Sequence, residues 1–154
     1  MQPKYWKGIK TFLTLETIAC IIGIVAMSIH LIVSLITGTV SITKYLTIML
    51  NGSQEQMESL RQDFWVVLDV YSLIIAVSNF IFSLPGAVLS LIFVKKIKNN
   101  YPKVTNKRDS IKWGILAIVS GLLGMSFSIP AGIMILITKK KDFLAGQQDN
   151  IYDV

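Results

Sequence analysis

Three stretches of this chain carry no acidic residue, lysine or arginine: Thr17 to Thr43, Val70 to Val94 and Trp113 to Thr138. They are 27, 25 and 26 residues long, and a helix needs about 20 apolar residues to cross a bilayer. Lipid offers backbone groups no hydrogen-bond partner, so only helices and closed barrels span it. Barrel strands would alternate polar and apolar side chains over about 10 residues, and these stretches do not. The expected fold is an all-α integral membrane protein with spans at about 12–37, 64–94 and 113–138.

The rest of the composition agrees. Hydrophobic residues make up 53% of the 154 and charged residues only 16%, against about 25% charged in soluble proteins. The chain has room for a single domain, residues 1–154. The first apolar stretch is longer than the 7–15 residues of a signal-peptide core and no A-x-A-like cleavage site follows it, so it reads as a retained anchor. The single cysteine, Cys20, excludes an internal disulfide. The net charge of +6 sits mostly beside the apolar stretches, which is the pattern of cytoplasmic flanks and not of a nucleic-acid surface.

That charge bias predicts an orientation. Lys4, Lys7 and Lys10 stand beside Tyr5 and Trp6 at the N-terminus, an interfacial flank. The 38–63 loop sums to −1, from Lys44 and Arg61 against Glu55, Glu58 and Asp63. The 95–112 connector sums to +6, from Lys95, Lys96, Lys98, Lys103, Lys107, Arg108 and Lys112 against Asp109. The N-terminus and the connector are expected in the cytoplasm, the connector on anionic lipid headgroups, and the 38–63 loop outside. Three spans would put the 139–154 tail, with Lys139, Lys140 and Lys141, outside and break the rule. The alternative is four spans, with 113–138 folded as a tight hairpin around Ser126–Pro130. Each limb would then have about 13 residues, or about 20 Å of helix, against a hydrocarbon core of about 30 Å.

Within the loop, Ile42, Leu46, Met49 and Leu50 keep helical spacing, Asn51-Gly52 is a turn signal, and Ser53 with Gln56 resembles a capping box. A short interfacial helix is expected there.

Small and polar residues recur every three or four positions in each span. Glu16, Cys20, Gly23, Met27, His30, Ser34 and Thr37 form the first stripe. Asp69, Ser72, Ala76, Asn79, Ser83, Gly86 and Ser90 form the second, and Gly114, Ala117, Gly121, Gly124, Ser128 and Ala131 the third. Residues at this spacing share one helix face, and membrane helices associate through small residues and interhelical hydrogen bonds. A seven-residue period implies a left-handed bundle. The third stripe keeps its phase across Ser126–Pro130, which favours one continuous helix and three spans. Pro85 and Pro130 are each expected to kink their helices.

Gly114-Ile115-Leu116-Ala117, Gly121, Gly124 and Ile129-Pro130-Ala131-Gly132-Ile133-Met134 before Lys139 resemble the end of small uncharacterised polytopic membrane proteins of low-GC Gram-positive bacteria. The resemblance covers the last third of the chain and implies a cell-membrane location with no known activity.

Ionisable groups inside spans are functional candidates by default. Glu16 is expected near the inner end of span one, within reach of Lys112 or Lys95. His30 and Asp69 are expected at similar depth and close enough to pair, and Asn79 at mid-span to set helix register. One His and one Cys are too few for zinc or Cys/His catalysis, and there is neither a phosphate-binding Gly-rich loop nor a G-x-S-x-G elbow. No enzyme, metal or cofactor is expected. The expected role is docking to another membrane protein or to itself, as an accessory transporter subunit or a self-immunity protein against a membrane-active peptide would. A homo-oligomeric channel or membrane-disrupting effector is the alternative.

Overall fold

The computed structural model describes residues 5–61 and 63–138. Among them every regular element is helical. Helix α1 is Trp6–Asn51, α2 is Gln54–Arg61, α3 is Phe64–Asn100, α4 is Lys107–Leu123 and α5 is Ser128–Ile137, with a 3₁₀ turn at Tyr101–Lys103. Two helices, α1 and α3, are long and apolar enough to cross a membrane.

Helix α1 has no proline, and most of its hydroxyls with a hydrogen bond are satisfied within the helix. Thr11, Thr14, Thr17, Ser28, Thr43 and Thr47 each donate to the carbonyl four residues back. The helix therefore does not end at residue 37 but runs on through Ile42–Leu50 to Asn51, where Gly52 closes it by donating to the Ile48 carbonyl at 2.7 Å. The helical spacing expected inside the 38–63 loop is a continuation of α1. Helix α2 opens on the capping box, with Ser53 N–H donating to Gln56 Oε1 at 3.0 Å and Gln56 N–H to Ser53 Oγ at 3.4 Å. The 95–112 connector is likewise mostly helix: α3 extends through Asn100, and α4 starts after the Asn106 cap, whose Oδ1 accepts from Asp109 N–H at 2.8 Å.

The continuous helix expected over 113–138 is corrected. Helix α4 stops at Leu123 and α5 begins at Ser128, and the two fold back on one another. Pro130 explains the break. It has no N–H for the Ser126 carbonyl, which takes Ile129 N–H instead at 3.2 Å, and it falls in the first turn of α5, where a missing N–H costs nothing. Ser126 occupies the left-handed region at φ 66°, and its N–H returns to the Gly121 carbonyl at 3.0 Å. Pro85 does not interrupt α3.

The chain divides into two compact units. The first holds the residues up to Gly23 and those from Pro85 onward. Its core joins Ile9 and Leu13 of α1, Val94 and Ile97 of α3, Ala117 of α4 and Ile135 of α5. Trp6 is buried against Tyr101, ring centroids 5.9 Å apart, so it packs inward and is no interfacial anchor. Helices α4 and α5 meet backbone to backbone: a Cβ on Gly132 would lie 2.7 Å from the Gly114 carbonyl oxygen, and one on Gly121 3.0 Å from Ile129 N. Lys107 Nζ donates to the Leu136 and Thr138 carbonyls, so the start of α4 caps the end of α5. The second unit, Ile24–Leu84, pairs the rest of α1 with the first part of α3. Gly38 admits Leu73 there, whose Cβ would stand 3.1 Å from an added Cβ.

Candidate functional site

Several polar side chains are fully buried in this protein beside its apolar core, while many large apolar ones are exposed. Glu16, Ser90, Ser110, Ser120 and Ser128 are fully buried. Ile22 is 62% exposed, Ile36 62%, Leu122 72% and Phe82 77%.

In the first unit the polar interior converges on Glu16. Its Oε1 accepts from Met125 N–H at 2.8 Å, Ser90 Oγ at 2.9 Å and Cys20 Sγ at 3.4 Å. Its Oε2 accepts from Ser128 N–H at 3.1 Å. Ser90 and Ser120 hydroxyls lie 2.9 Å apart, and Ser120 Oγ also reaches the Ser90 carbonyl at 3.1 Å. The Phe127 cap of α5 supplies no side-chain hydrogen bond. A carboxylate from α1 takes that place, at the end of α5 where the helix dipole favours negative charge. The close approach depends on Gly124, where a Cβ would collide with Glu16 Oε1 and lie 2.6 Å from Ser90 Oγ. Gly86 admits the Leu123 carbonyl, 2.7 Å from where its Cβ would be, and Gly23 admits the Met125 methyl.

Glu16 thus engages neither Lys112 nor Lys95. Lys112 instead pairs with Asp109 at 3.5 Å, and Lys95 is exposed. Every contact to the carboxylate is a donor, so the surroundings hold an acceptor in place. Ser120 is absent from the third stripe as read from sequence, although it stands between Ala117 and Gly124 on the same face. Its spacing was the available signal.

In the second unit, His30 and Asp69 do not bond to each other. His30 Nε2 lies 3.3 Å from Ser72 Oγ, which is 2.9 Å from Ser34 Oγ. Asp69 Oδ2 accepts from Ser41 Oγ at 2.6 Å. Ser34 and Ala76 are buried in this helix pair, and Ser72 is half-buried. Ser83 is exposed and makes no helix contact of the expected kind. Asn79 is half-buried, and its amide takes no hydrogen bond among the described residues. Ser41, one step beyond Thr37 along the first stripe, was missed because the span was ended at residue 37.

Of the basic residues, Lys96, Lys103 and Arg108 are exposed. Lys107 is committed to the end of α5, and Lys98 donates to Thr17 Oγ1 at 3.1 Å. Lys139, Lys140 and Lys141 lie outside the described residues. Among the described residues no three His, Cys, Asp or Glu side chains gather. Comparison with protein-family models, curated protein sequences and solved structures gives no match to this chain.

Proposed function

We propose that this is a multi-pass cell-membrane protein, without enzymatic activity, that acts by docking its helices onto a partner in the bilayer. The observation that carries the reading is the exposed apolar surface around a partly polar interior: carboxylate and hydroxyls inside beside the apolar core, and exposed isoleucine, leucine and phenylalanine outside. In water that surface would far exceed the apolar patch of a few hundred Å² that monomers tolerate. In lipid it is the expected exterior.

In this reading α1 and α3 cross the bilayer and α4–α5 is re-entrant. Helix α4 has 17 residues and α5 has 10, about 26 and 15 Å at 1.5 Å per residue, both short of a hydrocarbon core of about 30 Å. Irregular backbone at that depth is tolerated only where protein satisfies it, and Glu16 takes the N–H groups of Met125 and Ser128. The hairpin also removes the charge conflict. Helix α5 ends beside Lys107, so its C-terminal end lies on the side of the basic connector. The N-terminus, the segment around Asn106 and the C-terminus are cytoplasmic, and the α1–α2 corner is outside.

Single-cysteine labelling from outside the cell tests this. A probe at Ser53 is modified, and probes at Asn106 and Gln148 are protected; buried Cys20 adds no background. Labelling at Gln148 from outside would restore three full crossings. Labelling at Asn106 but not Ser53 would invert the topology.

Docking rather than pore formation is favoured by how the stripes are used in the first unit. Gly114 and Gly132, and Gly86 and Leu123, are in backbone contact, leaving the small residues no water to line. In the second unit the His30, Ser72 and Asp69 row is only partly covered by one helix pair, which suits a further helix carrying polar groups. Purification in mild detergent should bring down a second membrane protein in fixed ratio, as for an accessory subunit or an immunity protein. A ring of identical copies that conducts ions in planar bilayers would sink the docking reading.

A further inference from the structure

The Lys98 side chain is oriented against expectation. A lysine near the end of an apolar helix normally sends its ammonium toward water. Lys98 reaches the other way, along α3 toward its N-terminus, and donates to Thr17 Oγ1 at 3.1 Å. Thr17 lines the same cleft as Leu91 and Val94 of α3. The ammonium is therefore turned toward the apolar wall of that cleft.

Among the described residues it has no counter-charge there. The Thr17 proton goes to the Leu13 carbonyl, so the hydroxyl only accepts, and two of the three ammonium donors stay free. The charge felt by Lys98 is that of Lys10, of the same sign. The ion pairs among the described residues, Lys44–Asp63 and Lys112–Asp109, are elsewhere. Glu16 is wholly engaged by the α4–α5 turn. Thr17, Lys95, Lys98 and Asn99 line an open cleft of about 280 Å³ whose remaining wall is Leu91 and Val94.

Two lysines, a hydroxyl, an amide and an apolar wall describe the surroundings of a phosphate that carries a hydrocarbon chain. We propose that this cleft binds the phosphate of an anionic glycerophospholipid, with Lys98 and Lys95 on the phosphate and an acyl chain along Leu91. The site rests on the membrane reading above. It differs from the general attraction of a basic surface for anionic lipid, because one buried-side lysine orients the headgroup.

Native mass spectrometry of the full chain in mild detergent tests it, with phosphatidylglycerol, phosphatidylcholine and inorganic phosphate as separate additions. One phosphatidylglycerol should be retained in preference to phosphatidylcholine, and an equal concentration of inorganic phosphate should not displace it. Each lysine near an anionic surface is worth about 1 kcal/mol, so Lys98→Gln should weaken retention about fivefold. Lys98→Arg should keep it, and Lys7→Gln, exposed at the same end, should change it little. Equal retention of the two lipids would overturn the site, as would a Lys98→Gln variant that binds like wild type or displacement by inorganic phosphate alone. Alkaline extraction of native membranes separates the two ideas. A protein released by carbonate defeats the membrane reading itself, whereas one that stays embedded without lipid preference defeats only the cleft.

Discussion

Replacing Glu16 with leucine should destabilise the protein strongly, by about 3 kcal/mol or more, through the donors that it leaves without an acceptor. The side chain is fully buried and accepts from Met125 N–H, Ser128 N–H and Ser90 Oγ. Removing it strands three donors, and each buried unsatisfied donor costs about 1–3 kcal/mol. Glu16→Gln should cost less but not be neutral. Its oxygen can still accept, while its NH₂ must face one of two backbone N–H groups. The readout is thermal unfolding in detergent, with Leu122→Ala as an exposed-site control. Glu16→Leu melting with wild type would mean that the turn between α4 and α5 does not depend on this carboxylate, and the latch would be abandoned.

Gly124→Leu should be comparably damaging for a different reason. A Cβ there would collide with Glu16 Oε1 and come within 2.9 Å of Ser90 Cβ. Overpacking commonly costs about 1–3 kcal/mol, and here the added atoms also push the carboxylate off its donors. Even Gly124→Ala meets this conflict. Because both residues act on one network, the effects should not add: the Glu16→Leu/Gly124→Leu double variant should lose less than the sum of the two singles. Leu122→Ala, at a 72% exposed position, should change melting little. Full additivity, or a tolerated Gly124→Leu, would show that the glycine is not there to admit Glu16.

The third stripe shows why periodicity misleads at a turn. Gly114, Ala117 and Gly121 line α4, and Ser128 and Ala131 line α5, at spacings that run on as if through one helix. All five are buried, because the two limbs bury their small residues against each other. Folding back over four residues preserved the phase by coincidence. The better signal was Pro130, which lacks the N–H that a continuous helix would donate to Ser126.

The partners of the ionisable residues were not legible in the same way. Glu16, His30 and Asp69 stood out as costly groups in apolar runs, yet each was assigned a charged or ionisable neighbour. In the structure Glu16 takes backbone N–H groups and serines, His30 takes Ser72, and Asp69 takes Ser41. Opposite charge is visible in a sequence, whereas a free N–H is created only when a helix ends.

The sequence by itself determined the helical character, two of the three long apolar helices expected from it, and much of the small, polar face that they bury. These follow from one-dimensional facts: the length of uncharged runs, the three-and-four spacing of small side chains, and caps such as Ser53 with Gln56. Only the tertiary structure decided that the chain turns back at Ser126, that a carboxylate from α1 closes that turn, and that Lys98 reaches to Thr17. Each of these depends on which backbone groups lose their helical partners and which distant side chain is then close enough to replace them. Glu16 and Ser128 are 112 residues apart, and their meeting is a property of the packed bundle alone.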